Sequence, residues 1–335
     1  MKPVIYGLEG LELSANERSF FAEARPAGYI LFKRNCADRA QLRRLTDSLR
    51  AIDGRADLPI LIDQEGGRVA RMRPPEWPEF PAAGAPFGAL YDVAPVSAIE
   101  AARANAEALA LTLAEVGVTV DCLPLLDVRQ EGASDVIGDR SFGSDPMRVA
   151  ALGRAVLDGL RRGGCVGVVK HMPGHGRALV DSHLKLPVVD ADADALEADL
   201  APFIALKDAP MAMSAHIIYK AWDPDRPATI SPIVINDIIR DRIGFDGLLM
   251  TDDIDMKALA GTAGEKAAAA VAAGCDLALD CWARMDEMID IANSLDDIRP
   301  ESRARLDRAM ASLTPDPQGD LAALVARRDA LLSYA

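Results

Sequence analysis

Three of the four histidines of the 335-residue chain stand within thirteen positions, in the stretch "VVKHMPGHGRALVDSHLKLPVV" from Val168 to Val189. Asp181 lies two residues before His183, and an extended backbone there would bring both side chains to one side. A carboxylate bonded to one imidazole nitrogen fixes the tautomer and leaves the other nitrogen to move a proton. His171 follows Lys170 directly. His171 and His175 are four apart, a spacing that suits two metal ligands on a helix, but Pro173 and Gly174 oppose a helix and no third ligand stands nearby. No metal is therefore expected, and His175 reads as a hydrogen bonder that shapes the loop. Gly174 and Gly176 are expected to let that loop swing over a ligand.

The other reactive candidates are carboxylates and cations at the ends of apolar runs. In "LLMTDDIDM" at least one of Asp252 and Asp253 is delivered from a buried strand, able to attack a carbon or hold a cation; position favours Asp252 inward and Asp253 as structural partner. Lys170 admits two roles, a Schiff-base nucleophile or a charged donor to substrate oxygens. Asp63, in "LIDQEGGRVARM", suits a grip on vicinal hydroxyls. With Arg68, Arg71 and Arg140 it forms the polar rim expected of a small hydroxyl-rich ligand site.

Such groups need a scaffold that gathers strand ends. Apolar runs begin at residues 4, 28, 59, 118, 166, 211, 247 and 276, with helical patterns between most of them. Ser97 with Glu100 reads as a capping box, and Asp145–Pro146 and Ser231–Pro232 as caps with proline in the first turn. The expected fold is α/β, a single (β/α)8 TIM-type barrel allowing some irregularity, with the barrel over about 1–300 and C-terminal helices over about 300–335; a doubly wound open sheet is the alternative. Glu9, Asp63, Asp127, Lys170, His171, His216, Asp252 and Asp280 then sit at strand ends, on the face where barrel enzymes keep their active sites. His216 is expected to support the site rather than react.

Composition narrows the class. A net charge of −14 argues against nucleic-acid binding, and no apolar run is long enough to span a bilayer. With no signal-peptide pattern at the N-terminus, a cytoplasmic protein is expected, acting on a small soluble molecule as a monomer or weak dimer. Five scattered cysteines without a CxxC indicate neither a disulfide framework nor a zinc site.

"IDQEGGRVAR", "IGDRSFG", "KHMPGHG", "DSH" and "MTDDIDM", in this order, resemble glycoside hydrolase family 3, and within it the single-domain β-N-acetylhexosaminidases. The resemblance spans residues 1 to about 300. It implies a retaining mechanism with Asp252 as nucleophile, His183 as acid/base and Asp181 as its dyad partner. The matching positions assign substrate binding to Asp63, Arg71, Arg140, Lys170 and His171. Neither a cofactor nor a metal is implied. The implied substrate is an N-acetylglucosaminyl-anhydromuramyl peptide of peptidoglycan recycling. Alternatives are a family-3 β-glycosidase or glycoside phosphorylase of other sugar specificity, a Schiff-base lyase on Lys170, and a sugar-binding barrel without turnover. Two departures stand out: Met172, where the family heptapeptide usually has phenylalanine, and "LALDCWAR", which differs from the usual loop after the last strand.

Overall fold

A computed structural model describes residues 1–182 and 184–334. The strands, in chain order, are β1 Lys2–Gly7, β2 Pro26–Leu31, β3 Ile60–Ile62, β4 Val120–Asp121, β5 Val166–Met172, β6 Val188–Val189, β7 Met211–Ser214, β8 Ile218–Tyr219, β9 Leu248–Asp253 and β10 Leu277–Asp280. All but β6 and β8 pair in parallel and close on themselves in the order β1-β10-β9-β7-β5-β4-β3-β2. Each of the eight apolar runs therefore supplies one barrel strand, as the pattern predicts. Alternate residues, among them Ile5, Ile30, Leu61, Val168, Met213, Met250 and Leu279, point inward and fill the interior. Their neighbours along the strands pack outward against the helices.

The helices are α1 Ala15–Ala24, α2 Arg39–Asp53, α3 Ala89–Val93, α4 Pro95–Glu115, α5 Pro146–Arg162, α6 Ala193–Ala205, α7 Ala263–Ala273, α8 Met285–Ser294, α9 Pro300–Met310 and α10 Leu321–Leu332. A π-helical stretch, Val234–Arg242, takes the place between β8 and β9. Asp145 caps α5 through Met147 N, and the Ser231 hydroxyl accepts from Val234 N, as expected. Ser97 does not cap α4. Pro95, whose ring sets a helical φ, starts that helix two residues earlier and leaves Ser97 inside the first turn.

The last two helices differ in attachment. Leu306, Ala309 and Met310 of α9 cover the lower end of the barrel interior, while α10 lies against α4 with Arg328 Nη1 donating to Asn105 Oδ1 at 3.1 Å. Among the described residues no helix is long and apolar enough to cross a membrane. All five cysteines are free; Cys36 is half-buried and the rest are buried.

The small β6–β8 sheet, with Val188 opposite Ile218 and Val189 opposite Tyr219, lies outside the barrel and was not expected, since two-residue strands leave no period to read. It ties down the far end of the histidine-bearing loop. The near end is held by Tyr219 Oη, which donates to Gly174 O at 2.7 Å.

Candidate active site

Residues from seven barrel strands or their following loops line one cavity of about 370 Å³ at the carboxyl-terminal face, within the size range of small-ligand sites. Asp63, Arg71, Arg140, Lys170, His171, Asp181 and Asp252 all border it, so every expected site residue but one is brought together. That one, His183, lies outside the described residues. Glu9 is the strand-end residue that does not converge: it is exposed and away from the cavity.

Lys170, at the inward end of β5, is 1 % exposed. Its Nζ lies 3.0 Å from Asp63 Oδ1 and 2.7 Å from Glu65 Oε1. Burial works to discharge the ammonium, but the two carboxylates outweigh it and hold the pKa above the ordinary lysine value. A lysine so held keeps its proton, so the Schiff-base reading of Lys170 is set aside: its ammonium is a fixed donor. The same pairing works in reverse on Asp63, whose burial is overcome by Lys170 and Arg71, leaving it ionised well below the usual carboxylate range. Arg71 Nη2 reaches Asp63 Oδ2 at 3.1 Å.

Glu65 is the hub that sequence reasoning missed. Arg140 grips it in a fork, Nε to Oε2 at 2.8 Å and Nη2 to Oε1 at 2.7 Å, while Lys170 shares Oε1. Burial raises its pKa less than these two cations lower it. The turn that aims it needs Gly66: φ is +100°, and a Cβ there would lie 2.2 Å from Pro81 O. The result is a floor of fixed charges that presents both donors and acceptors to a polyhydroxylated ligand.

Asp127, read from the sequence only as a strand-end carboxylate with no role of its own, sits fully buried beneath the imidazoles. Its Oδ2 is 2.8 Å from His171 Nδ1, and its Oδ1 accepts from the backbone amides of His171 at 3.1 Å and His175 at 2.7 Å. Burial pushes its pKa up, but the facing His171 ring and the other donors bring it down to about 2. An ionised carboxylate has no proton to give, so Nδ1 of His171 is the donor and Nε2 is turned toward the cavity. That Nε2 lies 3.9 Å from Asp252 Oδ2. The one readable sign of Asp127 is its place at the end of the fourth apolar run.

Asp252 Oδ1 accepts from Asp253 N at 2.8 Å, which fixes the carboxylate at the end of β9. Asp253 turns the other way: Oδ1 accepts from Asp255 N at 3.1 Å and Oδ2 from Trp282 Nε1 at 3.1 Å. Burial and the neighbouring Asp252 push Asp253 up to about 6. His216 supports the pair as expected, buried between Thr229 Oγ1 at 2.7 Å and Asp253 O at 3.0 Å.

The loop between β5 and β6 is more constrained than its glycines suggest. His175 Nε2 is 3.2 Å from Ser182 Oγ, and burial lowers its pKa to about 4, so the ring is neutral and structural. Gly176 sits where a Cβ would fall 1.9 Å from Val128 O; close packing explains it better than hinge freedom. Asp181 O accepts from both Leu184 N and Lys185 N at 3.0 Å, while the expected pairing of Asp181 with His183 lies outside the described residues. Among the described residues no group of three His, Cys, Asp or Glu side chains is arranged to hold a metal ion.

The description of the glycosyl hydrolase family 3 N-terminal domain matches residues 5–314. The β-hexosaminidase of Alkalilimnicola ehrlichii is 42% identical over 284 residues, covering 83% of this chain and 80% of that protein. The β-hexosaminidase of Methylococcus capsulatus is 38% identical across 98% of this chain and 94% of its own. Among solved structures, NagZ from Neisseria gonorrhoeae in complex with N-trifluoroacetyl-D-glucosamine superposes with a TM-score of 0.88 at 32% identity, covering 100% of this chain and 98% of that one.

Proposed function

We propose, for a chain that belongs to glycosyl hydrolase family 3 and is a β-hexosaminidase, that it removes terminal β-N-acetylglucosamine from small soluble glycosides with retention of configuration. The observation that carries this reading is Asp252, fixed at the end of β9 beside the floor of Lys170, Asp63, Glu65, Arg71 and Arg140. A sugar whose hydroxyls engage that floor presents its anomeric carbon to the Asp252 carboxylate, which attacks and forms a glycosyl ester. His183 donates the proton that the departing oxygen needs, then takes one from water; Asp181, which borders the cavity, is its partner. The Nε2 face of His171 supplies a further contact to the sugar, oriented from below by Asp127.

The natural substrate in this reading is an N-acetylglucosaminyl-1,6-anhydromuramyl peptide released during cell-wall turnover, processed in the cytoplasm. Support for the sugar comes from the neighbour solved with N-trifluoroacetyl-D-glucosamine, and support for a reducing compartment from the free cysteines. The test is a kinetic comparison of that muropeptide with an aryl N-acetylglucosaminide and an aryl glucoside, following the anomer first released by NMR. The expected outcome is the β-anomer of N-acetylglucosamine and a preference for the muropeptide. Release of the α-anomer, or equal use of the glucoside, contradicts the proposal.

A further inference from the structure

Aromatic residues are scarce in this chain, and the large ones are mostly buried. Trp282 is the exception at the cavity: it lines the wall that carries Asp252 and Asp253, yet 54% of its surface is open. A half-open indole beside a ligand cavity offers a flat apolar face that a ligand ring can cover.

The loop that carries Trp282 is built to hold it still. Cys281 O accepts from Arg34 Nη2, Trp282 Nε1 donates to Asp253 Oδ2 at 3.1 Å, and the Arg284 guanidinium stands 5.9 Å from the ring centroid. Arg284 is itself anchored to Asp255 and Glu287. Ala283 takes a φ of +58°, in the left-handed region that disfavours any residue with a Cβ. A strained backbone and an oriented, open aromatic ring coincide at the rim of the site.

Depth assigns the ring its place along the substrate. Exposure rises from the floor that would grip the transferred sugar, with Lys170 and Glu65 at 2% and 4%, through Asp252 at 19% to Trp282 at 54%. Trp282 is at the mouth, so its open surface faces what lies beyond the anomeric carbon.

We propose that Trp282 is a specificity-determining platform on which the ring of the leaving group stacks, selecting glycosides whose aglycone is itself a β-linked pyranose. The apolar face of such a ring covers the indole while its hydroxyls stay wet. This inference rests on the reading of Asp252 and the charged floor as the seat of the transferred sugar.

The test compares N,N′-diacetylchitobiose, whose leaving group is a pyranose, with N-acetyl-β-glucosaminyl fluoride, whose leaving group has no ring. Trp282→Ala is expected to lower the ratio of kcat/KM for disaccharide over fluoride by roughly 10- to 30-fold, the loss usual for a truncated aromatic anchor. Trp282→Phe, which keeps a ring but not the donor, is expected to restore most of that ratio. An unchanged ratio in Trp282→Ala, or no recovery in Trp282→Phe, overturns the proposal; both substrates losing activity equally would mark Trp282 as merely structural. Full fluoride turnover by Asp252→Ala would instead overturn the underlying assignment of the site, and this one with it.

Discussion

Two cavities open at opposite ends of the barrel, and the larger is the less informative. The one at the amino-terminal ends of β5, β7 and β9 measures about 670 Å³ against about 370 Å³ for the one at the carboxyl-terminal face. Both are lined by charged pairs. At the lower cavity two pairs are open to water: Arg154 with Asp208 has side chains 39% and 66% exposed, and Arg308 with Asp246 57% and 76%, while Arg305 there also reaches the buried Asp276. At the upper cavity Lys170 and Glu65 are 2% and 4% exposed. Exposed pairs cost little and contribute little, whereas buried ones are expensive to assemble and persist where a function needs fixed charge. Volume does not mark the proposed reactive end; its buried lysine shared by two carboxylates does.

The contrast is broken most directly at Lys170. Lys170→Met leaves Asp63 and Glu65 facing each other without their shared cation; we expect about 3–5 kcal/mol less stability by denaturant unfolding and loss of measurable glycosidase activity. A variant as stable as the parent would mean that the buried pairing carries no weight. Next in size is Asp127→Asn, which leaves the cavity shape intact and removes the charge that orients His171. The expected kcat/KM is about 10- to 100-fold lower, as for other partners that orient a histidine; a kcat/KM within twofold of the parent would refute the orienting role.

A third prediction concerns pH. Burial, reinforced by Asp253, pushes Asp280 up to about 7. Between an unfolded value near 4 and that folded value, the folded chain retains a proton that the unfolded chain has lost, so stability falls as pH rises through this window and levels off above it. Asp280→Asn removes the penalty. It should gain on the order of 1–2 kcal/mol over the parent at pH 8, with the gain shrinking toward pH 4; a gain independent of pH would contradict the account. The smallest effect belongs to the lower cavity, where Arg154→Ala should change stability by less than about 1 kcal/mol and leave kcat/KM alone. A large loss of activity there would end the distinction between the two ends.

The comparison also explains which parts of the molecule could be read from the chain. Barrel strands announce themselves because a strand buried on both faces is an apolar run, and Asp63, Lys170 and Asp252 stand out because each closes such a run. Glu65 carries no such mark: its partners Arg140 and Lys170 are distant in sequence, and only closure of the barrel brings them together. Asp127 looked like one strand-end carboxylate among several until the His171 ring settled on it. Local geometry misled in two places. Pro95 displaced the Ser97 cap, and Gly176 proved to be a packing glycine. In "LALDCWAR" the departure was visible, but its consequence depended on Asp253 reaching across from β9 to hold the indole.

The central claim is that Asp252 becomes covalently glycosylated during turnover. Reaction with a fluorinated N-acetylglucosaminyl fluoride that slows hydrolysis of the glycosyl ester, followed by proteolysis and mass spectrometry, tests it directly. The account predicts one glycosyl adduct, on the peptide containing Asp252 and abolished in Asp252→Ala. An adduct on another residue, or steady turnover of the same reagent with no adduct at any time, would contradict it.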